Sequence, residues 1–253
     1  MDDWSVSICA SYVHSFVETE RRAALVRQPG TLSSLPEINA ALDQIKLGFP
    51  TIGEGSVNRF SSEDGDELRS ALRRKRTCLT TTMAAKLAGN AGARIGEIGF
   101  NLGHSAALLL SALPHASLAT FDLCSWPYSK DAFHFLRDEH FGAHRLQLIC
   151  GDSRETLERY DVTVSGGGAP LPKASTRPEN TTAVDIRPPP GKFDAVFIDG
   201  GHLYHQAWFD ILLMAKLSKP GALVVVDVSK VHQPESARVS APNFHSLSIT
   251  FRF

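Results

Sequence analysis

The 253-residue sequence lacks the features that direct a chain out of the cell or into a membrane. Its opening residues, Met1-Asp2-Asp3-Trp4, are acidic and show none of the basic-then-apolar pattern of a signal peptide. No apolar run approaches the ~20 residues needed to span a bilayer. Cysteine is scarce. There are four, Cys9, Cys78, Cys124 and Cys150, none in C-x-x-C spacing, and a chain of this length does not need disulfide staples. These absences predict a reduced, cytoplasmic protein in which Asn180-Thr181-Thr182 is a chance glycosylation sequon. Neither charge is in excess: 26 Lys and Arg against 27 Asp and Glu give a formal net charge of −1. That balance argues against a nucleic-acid binder, which usually carries a clear basic surplus. The one basic cluster, Arg69, Arg73, Arg74, Lys75 and Arg76, reads as the solvated face of a helix. What is present is ordinary globular composition, 43% hydrophobic and 21% charged, enough for a buried core. The length allows one large domain, or one domain with an N-terminal extension.

Residues 1–80 read as helical and irregular, with helices expected over Phe16 to Leu25, Ile38 to Ile45, Glu67 to Arg76 and Thr80 to Ala88. From Arg94 a strand–helix alternation begins. Strands are predicted at Arg94 to Ile98, Ser117 to Leu123, Arg145 to Cys150, Asp194 to Ile198 and Ala222 to Val226. Helices are predicted at Ser105 to Leu113, Asp131 to Phe141 and Tyr204 to Leu217. Short apolar strands separated by helices imply an α/β fold with a mostly parallel sheet covered on both faces. Residues 161–192, rich in Gly, Pro, Ser and Thr, read as a flexible insertion. The tail from Ser246 to Phe253 alternates strictly and reads as a half-buried edge strand.

The strongest chemical signal is Glu97-Ile98-Gly99-Phe100-Asn101-Leu102-Gly103-His104-Ser105, in which a strand ends in an acid, a glycine turn follows and a helix begins. Glycines suit a sharp turn that a ligand approaches closely, and the helix start offers free N–H groups and partial positive charge. A dinucleotide fold uses G-x-G-x-x-G to hold pyrophosphate there. Here the spacing is E-x-G-x-x-x-G. A carboxylate at that point repels pyrophosphate and suits the cationic amine of an amino-acid-bearing cofactor, which favours S-adenosylmethionine over NAD. Asp122 ends the second strand, where an acid accepts hydrogen bonds from ribose hydroxyls. Asp152 and Ser153 follow the third strand, where they can serve an adenine, a helix N-cap or both.

At the fourth strand the sequence reads Phe193-Asp194-Ala195-Val196-Phe197-Ile198-Asp199-Gly200-Gly201-His202, and downstream Leu217-Ser218-Lys219-Pro220-Gly221-Ala222-Leu223-Val224-Val225-Val226-Asp227. Together with the preceding motifs this resembles the class I S-adenosylmethionine-dependent methyltransferases, specifically the subfamily with an Asp-Gly-x-His motif after the fourth strand. The resemblance covers about Ala91 to Asp227. It implies a Rossmann-like, doubly wound sheet with the cofactor at the carboxyl ends of its strands. Glu97, Gly99, Asn101, Gly103 and Ser105 would serve the methionine part, Asp122 the ribose, Asp152 and Ser153 the adenine. Asp199 and His202 would stand between cofactor and acceptor. An imidazole titrates near roughly 6.5, so His202 is the candidate general base for an acceptor hydroxyl. His205 reads as structural. Some small-molecule O-methyltransferases of this architecture hold a divalent metal through acids after the fourth and fifth strands. Asp199 and Asp227 occupy those positions and would suit Mg2+. Members that bind metal have a second acid or amide next, where this chain has Val228.

The resemblance also implies a fifth-strand continuation into a helix and an antiparallel pair. Only one convincing strand follows Val228, so the C-terminal part reads as shortened and a homodimer that completes the sheet stays open. The expected domains are a helical extension or lid at 1–80 and a methyltransferase domain at 81–253. The expected activity is methyl transfer to a small-molecule acceptor, with oxygen as nucleophile. A non-catalytic cofactor-binding module and an NAD-linked oxidoreductase are the alternatives. No nucleic-acid or membrane partner is expected.

Overall fold

The computed structural model describes residues 7–8, 34–48, 66–165, 192–201, 204–227 and 248–252. In chain order they form β1 (Ser7–Ile8), α1 (Leu35–Leu47), α2 (Asp66–Leu87), β2 (Arg94–Ile98), α3 (His104–Ala112), β3 (Ser117–Asp122) and α4 (Pro127–His134). A π-helical stretch, Phe135–Phe141, continues α4. Then come β4 (Leu146–Cys150), α5 (Ser153–Ser165), β5 (Phe193–Ile198), α6 (Tyr204–Lys216), β6 (Ser218–Asp227) and β7 (Ser248–Arg252). The strands make one seven-stranded sheet in the order β1-β7-β6-β5-β2-β3-β4. Strands β6, β5, β2, β3 and β4 run parallel, and β7 pairs antiparallel to β6. The fold is Rossmann-like α/β, as the strand–helix alternation predicts. The first helix after β2 and the helix before β6 lie on opposite faces, and the order reverses between β2 and β5. That reversal is where open α/β sheets place ligands.

The alternation of side chains along each strand divides the core in two. Ile95, Leu118, Ala195, Phe197, Leu223 and Val225 face a cluster completed by α1, α2, α3 and α4, with Leu42, Met83, Leu109 and Phe133 among its members. Ile98, Ala119, Phe121, Val196, Ile198, Val224 and Val226 face the other, completed by Leu157 and Tyr160 of α5 and Met214 of α6. Both faces are apolar because both are covered, so these strands read as continuous apolar runs rather than alternating ones.

Several expectations are corrected. The helices expected over Glu67 to Arg76 and Thr80 to Ala88 are one helix, α2, which runs unbroken through residue 80. Thr80 sits inside it and turns its hydroxyl back to the Arg76 carbonyl at 2.9 Å. The second helix starts at Pro127, whose fixed φ suits a first helical position, and not at Asp131. The start of the expected insertion, residues 161–165, belongs to α5. The tail strand is not an edge: β7 lies between β6 and β1, pairing Ile249 with Val226 on one side and with Ile8 on the other. The sheet therefore does not need a partner to supply a strand beyond β6. The helix expected at Phe16 to Leu25 lies outside the described residues.

The expectation of reduced cysteines is also corrected. Cys124 and Cys150 form a disulfide with a Cα–Cα distance of 5.4 Å, and Cys78 is disulfide-bonded as well. Parallel pairing sets Asp122 opposite Cys150. Cys124, two residues further on in a left-handed conformation (φ 51°), is thereby brought within bridging distance.

Candidate active site at the carboxyl ends of the parallel strands

The turn that links β2 to α3 is the centre of the site. Gly99 (φ 96°) and Gly103 (φ 78°) both adopt conformations that side chains other than glycine resist. Neighbours also close on them. A Cβ on Gly99 would lie 2.2 Å from the Asp199 carbonyl oxygen, and one on Gly103 would lie 2.6 Å from the Phe100 ring. Gly99 thus lets the end of β5 press against the end of β2, where Asp199 N–H donates to Ile98 O at 2.8 Å.

Asp122 clasps this turn from β3. Its Oδ2 accepts the N–H groups of Phe100 and Asn101, both at 2.9 Å, and its Oδ1 accepts that of Cys124 at 2.6 Å. A carboxylate has about four lone-pair sites. Three are engaged by backbone, which fixes the turn's shape and leaves one acceptor position for a ligand. Asn101, at φ 50°, is held by Tyr128, whose hydroxyl donates to Asn101 Oδ1 at 2.8 Å. Burial and the nearby Asp122 charge raise the Tyr128 pKa, which keeps that hydroxyl a donor.

Glu97 lies beneath the turn with no exposed surface. Ser105 Oγ donates to its Oε1 at 2.5 Å, and its Oε2 has no hydrogen-bond partner. Burial pushes the carboxyl up to about 7, against the opposing influence of Ser105 and of Thr120, its register neighbour on β3. Glu97 is thus an acid poised near neutrality, with one buried oxygen still able to take a proton or a donor.

Beyond β4, Asp152 caps α5. Its Oδ1 accepts Arg154 N–H at 3.0 Å, and the Arg154 guanidinium closes on both oxygens, holding the carboxyl below its usual range. Ser153 turns away to donate to Asp210 Oδ1 at 2.7 Å. Burial pushes that acid, on α6, up to about 6. His205 is exposed on α6, and His202 lies outside the described residues.

The acids at the ends of β5 and β6 come together, as metal ligation requires, but a lysine stands between them. The Lys75 ammonium donates to Asp227 Oδ2 and lies 3.8 Å from Asp199 Oδ2. The Lys75, Asp199 and Asp227 side chains are 8%, 16% and 2% exposed. Lys75 is therefore not part of a solvated basic face: α2 aims it inward to meet one buried and one half-buried acid, which could not keep their charges cheaply without it. Among the described residues no group of three His, Cys, Asp or Glu is placed to hold a metal ion. The described residues, with the Lys75 ammonium between the two acids, do not fit Mg2+.

A family model described as "Methyltransferase domain" matches residues 97–228, more than half of the chain. The chain belongs to this methyltransferase family. The methyltransferase domain so defined starts at Glu97 and contains the glycine turn, Asp122, Asp152, Asp199 and Asp227; the nicotinamide alternative falls away. No curated protein matches the chain in sequence. Among solved structures, an O-methyltransferase from Bacillus cereus in complex with SAH is 13% identical over 94% of this chain and 97% of that one, with a TM-score of 0.53. A methyltransferase from Geobacter sulfurreducens is 12% identical over 95% and 99%, with a TM-score of 0.46. The first of these carries the same fold at a distance where sequence has diverged almost fully. No helix among the described residues is long and apolar enough to cross a membrane.

Three features of the site escaped the sequence. Lys75 gave no signal, because nothing in a basic helix tells which residue turns inward. Tyr128 is one aromatic among several. The disulfide could have been found from the strand register, since both cysteines follow or end neighbouring strands.

Proposed function

We propose that the chain transfers a methyl group from S-adenosylmethionine to an oxygen of a small-molecule acceptor. The observation that carries this reading is the clasped turn. Asp122 holds residues 99–103 in place through backbone N–H groups and keeps one acceptor position, which suits a ribose hydroxyl. The start of α3 behind the turn gives partial positive charge for a carboxylate, and buried Glu97, once ionised, gives negative charge for an amine. Both ends of an amino acid are thereby served. The Bacillus cereus O-methyltransferase, which shares the fold, was solved with SAH, and this supports the same cofactor class here.

S-adenosylmethionine supplies an electrophilic methyl on a sulfonium centre. The chain's part is alignment and exclusion of water. Asp122 and the turn would fix the ribose and methionine ends, and the Asp152 region would border the adenine. Asp199 would lie toward the acceptor, and His202 would take the acceptor proton. Residues 1–80 would form a wall of the acceptor site, a role in keeping with Lys75 entering from α2.

Calorimetry of S-adenosylmethionine on the wild-type chain and on Asp122→Ala tests the reading. Micromolar binding by wild type, lost in a variant that retains its circular dichroism, supports it. A folded wild-type chain that binds neither S-adenosylmethionine nor its demethylated product overturns it.

A further inference from the structure

We propose that the Lys75 ammonium takes the position of a divalent cation between Asp199 and Asp227, so that this site works with a positive charge built into the chain and takes up no metal ion. The ammonium is seated against Asp227 and within ion-pairing distance of Asp199, with both Lys75 and Asp227 almost fully removed from solvent. A metal on the same two carboxylates would have to share a small volume with a fixed positive charge. Magnesium keeps several of its six oxygen ligands as water, so the two carboxylates and water would be enough to hold a hydrated ion if the ammonium were gone. No third acid or histidine joins the pair among the described residues, so the charge between the two acids is what decides whether an ion enters.

The lysine comes from α2, before the segment that defines the family match. A chain that supplies its own cation trades two positive charges for one. Net charge at the two acids stays negative, and a Lewis acid that would lower the acceptor's pKa is replaced by an ammonium that can only attract and orient oxygen. Removal of the acceptor proton is then left to a side-chain base. This deepens the methyl-transfer reading, but its test needs no turnover and no bound cofactor.

The experiment is a titration of the full chain with Mn2+, reading the free-ion signal by electron paramagnetic resonance. Wild type is expected to leave the signal unchanged. Lys75→Met is expected to take up one equivalent, and Lys75→Met with Asp227→Asn to lose that uptake. Because Lys75→Met strips one buried and one half-buried acid of their counter-charge, thermal melts accompany it. Its melting temperature should fall below wild type and rise with Mn2+, while the wild-type value ignores the ion. Lys75→Gln, which keeps donors for Asp227, serves if the methionine variant does not fold. The proposal is overturned if wild type takes up one Mn2+ that Asp227→Asn abolishes, or if folded Lys75 variants bind none. Failure of S-adenosylmethionine to bind would leave all of these outcomes readable.

Discussion

Replacing Glu97 by Gln should stabilise the chain at pH 8 and do much less at pH 5. The carboxyl is wholly buried, and burial lifts it from 4.5 to about 7. A raised acid pKa means that the folded chain holds the proton more tightly than the unfolded one. The favourable contribution is complete below about 4.5 and is lost as pH climbs toward 7, after which the carboxylate is charged in both states. A shift of this size corresponds to roughly 3 kcal/mol, of which about 1 is already lost at pH 5 and nearly all at pH 8. The amide is isosteric and uncharged. Its oxygen can still accept from Ser105, and its N–H groups can reach the Thr120 hydroxyl, which lacks a hydrogen-bond partner. Urea denaturation of both chains at the two pH values should show the variant's advantage growing by about 2 kcal/mol from pH 5 to pH 8. An advantage independent of pH would refute the reasoning, because it would mean that Glu97 titrates alike in the folded and unfolded states. S-adenosylmethionine binding gives a second reading of the same variant. It should weaken if the carboxylate charge holds the cofactor amine, so that stability and affinity move in opposite directions.

Asp122→Ala removes the acceptor for three backbone N–H groups, and should cost roughly 2–4 kcal/mol in chemical denaturation besides abolishing cofactor binding. Gly103→Ala forces a side chain into a φ of 78° against Phe100 and Leu136, and should lower the melting temperature more than Gly89→Ala, where nothing lies within 4 Å of the new Cβ. Replacing both Cys124 and Cys150 by Ser, which opens a link across a separation of 26 residues and leaves the Cys78 disulfide intact, should lower stability by about 3 kcal/mol in matched denaturation curves of variant and wild type. No change there would show that the denatured chain gains no freedom from the cut.

The parallel strands were readable because burial on both faces writes them as unbroken apolar runs bounded by glycine and acid. The strand Arg94 to Ile98 falls where expected to the residue. The turn and its acids were readable for the same reason, being fixed points where a strand must stop. What could not be read depends on distance in sequence. Whether Ser153 serves a ligand or Asp210 is decided 57 residues away. Lys75 meets Asp227 across 152 residues, and only the packing of α2 on the sheet selects it from its basic neighbours. The tail's alternating pattern correctly marked a strand, but β1, only two residues long, left no periodicity from which to infer its neighbour.

The lysine between the two carboxylates also bears on where this methyltransferase domain can be cut. The family match starts at Glu97, so it contains Asp199 and Asp227 and leaves out the residue that neutralises them. A fragment trimmed to residues 97–228 would keep every acid of the site. It would lose the α2 residues Leu79, Met83 and Leu87 from one face of the core, together with the counter-ion, leaving two nearby like charges in a partly dry setting. The boundary for excision therefore lies ahead of α2, some thirty residues before the point at which family likeness begins.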